Sequence, residues 1–243
     1  MQESKKPNTR IKAPTFLAKL FTLMSIGALS GCEAILCSTM VNCFDPLGRA
    51  PYSPDIVYLK LKTPSHMDAY IHWLEKDFGG SGEISTDLII KTHTSDKLAN
   101  GWSPPEPLQE TPSFPRFNGL SKIPGKLTIE WTSLPERKTY RTIIPLQRDI
   151  HKQIKSEVET SCMRNGSPIR SKRNVITLEF APGGKIKGWL SGFCLDSIEF
   201  TMKQGMPISK KERTKHTNRA LINYISAPMD KYIKTYGIPY SSW

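Results

Sequence analysis

The pattern of apolar and polar positions divides the chain at once. Lys5, Lys6, Arg10, Lys12 and Lys19 precede an uncharged run over residues 20–29. A stable transmembrane helix needs about 20 apolar residues, so this run is too short to be one. A basic head followed by a short apolar body is the layout of a secretory signal rather than of a folded element. The periods change further on. Ile56, Tyr58 and Lys60 alternate with Val57, Leu59 and Leu61, which predicts a strand. Residues 69–74, with Ile71 and Trp73 on one face, predict a second, and residues 84–92 a third after a turn marked by Gly79, Gly80 and Gly82. Residues 126–131 and 138–144 predict a strand pair joined through Pro135. Leu146, Ile150, Ile154 and Val158 then recur every fourth position, which places them on one side of a helix. Residues 175–180 and 185–190 flank Ala181-Pro182-Gly183-Gly184, a hairpin signal, and residues 196–202 predict a further strand. Ser209 and Glu212 form a capping box opening a helix toward Ser226. Pro228 ends or kinks that helix, and Met229, Tyr232, Ile233 and Tyr236 line one face of a last short one.

Strands dominate this reading and follow one another as hairpins. The expected fold is therefore α+β: one domain over residues 55–243, an antiparallel sheet with two or three covering helices. Residues 32–54 hold Pro46, Gly48, Pro51 and Pro54 without periodicity and read as a tether. Between residues 100 and 125 six prolines block any hydrogen-bonded ladder, so this stretch is expected to be a long surface loop. Its Trp102, Phe114, Arg116 and Phe117 are candidate partner contacts.

The apolar run ends in Leu29-Ser30-Gly31-Cys32, which resembles the bacterial lipobox, where cleavage before a diacylglyceryl cysteine removes the signal. Residues 1–31 are then a lipoprotein signal peptide, and the mature chain of 212 residues begins at lipidated Cys32. That length suits one ordinary core. Glu33 stands where an aspartate would commonly retain the protein at the inner membrane, so the expected place is the outer membrane, lipid-anchored and facing the periplasm. Of the formal charge of +12, the mature chain keeps +8. The remaining Cys37, Cys43, Cys162 and Cys194 lie in a compartment where disulfides persist. Three connectivities are open, with Cys37 to Cys43 and Cys162 to Cys194 preferred, and buried free thiols remain an alternative.

Three blocks carry a family resemblance. Leu127-Thr128-Ile129-Glu130-Trp131-Thr132-Ser133-Leu134-Pro135-Glu136-Arg137-Lys138-Thr139-Tyr140 resembles the signature of the bacterial lipoprotein family catalogued as domain of unknown function 2931, through Trp131, Ser133, Glu136 and Tyr140. The second block runs from Ala181 to Gly192 and includes Gly184, Trp189 and Gly192. The closing Gly237-Ile238-Pro239-Tyr240 with Trp243 is the third. The family brings no established enzymatic activity. Some envelope lipoproteins of this kind lie beside secreted antibacterial toxins, so the resemblance implies immunity by binding a toxin. Read physically, Trp131 and Trp189 are apolar anchors for a sheet face, Glu136 is a solvated turn charge, and Gly192 supplies a backbone conformation closed to other residues.

No catalytic pattern emerges. Gly80-Ser81-Gly82 lacks the spacing of a nucleophile elbow, and His66, His72, His93, His151 and His216 are scattered without the i, i+4 pairing of a metal helix. Asp68, Glu75, Asp77 and Glu83 crowd one region, but nothing fixes a carboxyl separation. Basic clusters at Arg170, Lys172, Arg173 and at Lys210, Lys211, Arg213, Lys215, Arg219 lack interleaved aromatics, which with export argues against nucleic acid. The expectation is a non-enzymatic envelope protein without metal or cofactor, in contact with the membrane through its lipid and with a protein partner, a toxin among the candidates. A structural or small-ligand-binding lipoprotein, or an unrecognised hydrolase, are the alternatives.

Overall fold

Alternation along the strands sorts side chains onto two faces, and in this molecule it builds two sheets. The computed structural model describes residues 56–77, 81–91, 101–109, 123–162, 168–213 and 219–243, all within the compact unit Arg49–Trp243. The signal, the tether, Cys32, Cys37 and Cys43 lie outside the described residues. The strands are β1 (Tyr58–Lys62), β2 (Ala69–Asp77), β3 (Ser81–Ile90), β4 (Lys126–Ser133), β5 (Lys138–Pro145), β6 (Glu157–Ser161), β7 (Pro168–Lys172), β8 (Val175–Ala181), β9 (Lys185–Gly192), β10 (Leu195–Gln204) and β11 (Met206–Pro207). The helices are α1 (Arg148–Lys155), α2 (Arg219–Ile222) and α3 (Ala227–Tyr236).

A five-stranded antiparallel sheet runs β11-β5-β4-β2-β3, and a four-stranded sheet runs β1-β8-β9-β10, with β1 parallel to β8. The β6–β7 hairpin is a separate two-stranded sheet. Ile71, Ile129, Trp131 and Ile144 from the larger sheet share one buried cluster with Ile176, Leu178, Phe180, Ile186 and Leu190 from the smaller. The Trp131 and Phe180 rings meet at 5.1 Å across that core. The expected α+β fold with helices covering one sheet is therefore wrong: the fold is mostly β, and the layer opposite the larger sheet is a second sheet. The reason is visible in β8, whose residues are all buried. A strand covered on both faces pairs centrally, here between β1 and β9, instead of extending the first sheet.

Helices close the margins. Ile154 of α1 enters the core, with Ile150 packed beside it. Met229 of α3 packs with Tyr70 and Leu134, and Tyr232 packs with Met67. Two helix expectations fail locally. Val158 belongs to β6 rather than to α1, which stops at Lys155 where Val158 and Thr160 pair with Ser171 and Ile169. The Ser209–Glu212 capping box is formed, but it caps only a 3₁₀ turn, Lys210–Glu212. Pro228 then sits in the first turn of α3, where its missing N–H costs nothing. The Cys162–Cys194 disulfide is present and fastens the end of β6 to the β9–β10 turn.

Candidate functional site

One residue from each of the three motif blocks meets at one carboxylate. Glu136 lies in the β4–β5 turn and accepts from the Gly183 backbone N–H at 2.8 Å, from the Tyr140 hydroxyl at 3.2 Å and from Tyr240. The three blocks, distant in sequence, are thus tied at one point. Burial, and then the facing Glu136 charge, push both tyrosine hydroxyls above their ordinary pKa. Gly183 and Gly184 take left-handed backbone angles of φ 80° and 79°. A Cβ on Gly184 would lie 2.6 Å from the Tyr140 ring. Lys185 also bonds the Trp243 carbonyl. Glu136 is thus not a solvated turn charge. Gly192, too, is required for a different reason than expected, because a Cβ there would sit 2.1 Å from the Lys172 carbonyl oxygen. Trp131 is fully buried and its indole N–H reaches Thr142 Oγ1 at 3.4 Å. Ser133 is buried at the end of β4.

The outer face of the smaller sheet is different in kind. Register places Lys62 opposite Glu179 on β1 and β8, and Glu179 is fully buried. Its carboxylate accepts from the Ser103 backbone N–H at 3.2 Å and lies 3.5 Å from Lys62 Nζ. Lys62 also bonds Ser103 Oγ at 2.8 Å. Burial raises the Glu179 pKa and lowers that of Lys62, and the two charges offset part of each shift. These bonds lay residues 101–109 across the sheet, and Leu108 pairs with Phe193 further along. Trp102, partly exposed, then meets the edge of buried Trp189 at 6.2 Å. Lys187 stands 5.8 Å from the Trp102 ring centre and 5.9 Å from that of Trp189, and it pairs with Glu199 at 2.8 Å. The result is an aromatic platform flanked by two lysines whose positions are fixed by carboxylates.

The outer face of the larger sheet buries polar groups. Glu130 is 1% exposed and takes both Nε and Nη2 of Arg141, at 2.9 and 2.6 Å. His72, 5% exposed, meets Thr132 at 2.6 Å, and burial with the nearby Arg213 charge pushes its pKa down to about 4. A cleft of about 520 Å³ opens beside α3, lined by His66, Lys231, Tyr232, Thr235 and Tyr236. His66 stacks on Tyr232 at 4.8 Å. Among the described residues no three His, Cys, Asp or Glu side chains gather in metal-binding geometry.

Of the expected partner contacts, Trp102 sits on the platform, whereas Phe114, Arg116 and Phe117 lie outside the described residues. Trp189 joins Trp102 on the same face. The family described as protein of unknown function (DUF2931) matches residues 60–241. The chain belongs to this family. The matched span includes both sheets but for the first two residues of β1, the first two motif blocks and Gly237 to Tyr240 of the third, so the Glu136 tie and the Trp189 platform both fall inside the family's domain. No curated protein and no solved structure matches the chain.

Lys62 and Glu179 escape sequence reasoning, and His72, Glu130 and Arg213 enter it only as a scattered histidine, a residue of the first motif block and a member of a basic cluster. Thr128, Glu130 and Thr132 alternate with Leu127, Ile129 and Trp131, a pattern that reads as a solvated face. Their burial depends on segments packed over them from elsewhere in the chain. The one available signal was Lys62 closing a strand of apolar residues and Glu179 standing inside another.

Proposed function

We propose that this chain is a lipid-tethered envelope protein, anchored at the outer membrane through Cys32 and facing the periplasm, that works by binding a protein. The partner class we favour is an antibacterial effector entering the periplasm, which the chain would neutralise. The observation that carries the binding reading is the Trp102–Trp189 platform with Lys62 and Lys187. Trp102, partly exposed and held rigid on buried Trp189 beside fixed cations, loses little entropy on docking, and such residues dominate interface energetics. The charge of +8 expected for the mature chain adds long-range attraction for acidic or mixed-charge partners.

A co-culture test addresses this directly. A strain lacking the chain is grown beside its parent, then complemented with the wild type or with Trp102→Ala, protein levels being matched by immunoblot. The expected outcome is growth inhibition of the deletion strain, rescue by the wild type and poor rescue by the variant. Equal survival of parent and deletion strain would overturn the effector reading. A second reading, a small-ligand-binding lipoprotein, draws on the cleft lined by His66, Tyr232 and Tyr236. Saturable binding of a small periplasmic solute, lost in Tyr232→Ala and kept in Trp102→Ala, would favour it.

A further inference from the structure

On the outer face of the larger sheet four side chains form a continuous run of hydrogen bonds. Arg213 Nη2 lies 2.6 Å from Thr139 Oγ1, Thr139 lies 2.8 Å from Thr132 Oγ1, and Thr132 lies 2.6 Å from His72 Nε2. A guanidinium only donates, and a hydroxyl has one hydrogen to give. Thr139 therefore accepts from Arg213 and has its own hydrogen free for Thr132, which donates in turn to His72. That order uses every hydrogen in the run, provided His72 Nε2 is an acceptor. Were Nε2 the donor, Thr132 would give to Thr139, and Thr139 would receive twice with its own hydrogen left over. Nδ1 is buried without a hydrogen-bond partner in either case, as an N–H in the first and as a lone pair in the second, so the first order leaves one group unmet and the second leaves two, Nδ1 and the Thr139 hydrogen. The neutral imidazole thus carries its proton on Nδ1.

Arg213 belongs to a segment laid over β5. Met206 and Pro207 pair with Arg141 and Tyr140, the Ile208 N–H reaches the Thr139 carbonyl at 2.9 Å, and Arg141 Nη2 donates to the Glu212 carbonyl at 2.6 Å. We propose that the His72–Thr132–Thr139–Arg213 run is a proton-operated latch: a proton arriving on His72 Nε2 reverses the run, leaves the hydrogen of the buried Thr139 hydroxyl without an acceptor, and so loosens residues 206–213, which cover it, from the sheet.

The groups around His72 favour release. Arg213, from the segment itself, gains a like-charged neighbour when the imidazole is protonated. Glu130 on β4 and Asp87 on β3 pull the other way. Both are already engaged, however, Glu130 by Arg141 from β5 and Asp87 by the Tyr70 hydroxyl from β2. Tyr70 sets its ring against the imidazole at 4.4 Å. The imidazole stays neutral until well below pH 6.5, since its pKa is pushed down to about 4, so the latch responds to strong acidification.

The test uses the full chain and nuclear magnetic resonance. At neutral pH the side-chain nitrogens of His72 should report the proton on Nδ1; a proton on Nε2 overturns the proposal. Amide exchange is then followed on acidification, corrected for its intrinsic pH dependence. The Ile208 amide should lose about tenfold more protection than the Ile129 amide in β4 as His72 titrates, the factor expected for one hydrogen bond of about 1.4 kcal/mol. Thr132→Val, which cuts the run, should abolish that difference. Parallel loss at Ile208 and Ile129, or a local step surviving in Thr132→Val, overturns it. Should that variant fail to fold, the wild-type tautomer and exchange data decide alone.

Discussion

His72 stores a pH dependence that can be given a sign. Its pKa falls from 6.5 in the unfolded chain to about 4 in the fold, chiefly through burial and then through Arg213. Between those values the unfolded chain binds more protons, so stability is undiminished above 6.5, falls as the pH drops toward about 4, and levels off below it. The full loss is about 3 kcal/mol at 1.36 kcal/mol per pKa unit. Urea unfolding from pH 7 to 4 should show it, and His72→Gln should remove that part of the slope. Glu136 invites a second substitution. Glu136→Ala leaves the Gly183 N–H and the Tyr140 hydroxyl without their acceptor, and about 2 kcal/mol of stability should go with it. A unchanged urea midpoint in Glu136→Ala would remove the carboxylate from its role as the tie between motif blocks. At this scale the sequence was half legible. Glu136 was singled out through the family resemblance, but of its partners only Tyr140 is local, while Gly183 lies 47 residues on and Tyr240 further still, which no local pattern encodes. His72 was one of five scattered histidines, and only the fold brings it to Thr132.

Elements were legible wherever the period persisted. Apolar alternation and turn residues marked β1, β2, β4, β5, β8, β9 and β10 to within a few positions. The β6–β7 hairpin was missed because Val158 falls four residues after Ile154 and so continues a helical spacing. Pairing with β7 overrode it, and Glu157 to Ser161 carry β-branched residues that suit a strand. The disulfide depends on this hairpin, since Cys162 follows directly on β6. Its two cysteines are 32 positions apart, for which the chain-entropy estimate gives about 4 kcal/mol. The paired Cys162→Ser, Cys194→Ser variant should therefore unfold at clearly lower urea than the oxidised wild type, and added reductant should lower the wild type alone. Equal midpoints would mean that the hairpin needs no fastening.

Over the whole molecule, the assembly of two sheets was the part the sequence concealed. Each strand was recognisable, yet which strands share a sheet depends on the pairing of β1 with β8, and hairpin logic only joins neighbours. The proposed tether makes its own prediction at this scale. Acyl chains contribute about 0.8 kcal/mol per buried CH₂, and stable anchoring takes more than one chain. Cys32→Ala should leave the protein uncleaved or released from membranes, as read by acyl labelling and fractionation. Retention with unchanged labelling would remove the anchor from the proposal.

The parallel union of β1 with β8 has a consequence for the order of events in time. Tyr58 meets Val175 and Lys62 meets Glu179, so the strand made first waits for one made much later. A chain delivered from its N-terminus must hold β1 without its neighbour until β8 has emerged, while β4 and β5 can zip together locally. Closing so distant a contact is slow, because loop entropy is lost before the contact returns anything. Chains ending before Val175 should therefore stay sensitive to protease throughout, and protection should appear abruptly once residues 175–192 are included. Nascent copies of this protein would spend that interval with an apolar strand edge exposed, and so would be clients for whatever holdase their compartment provides.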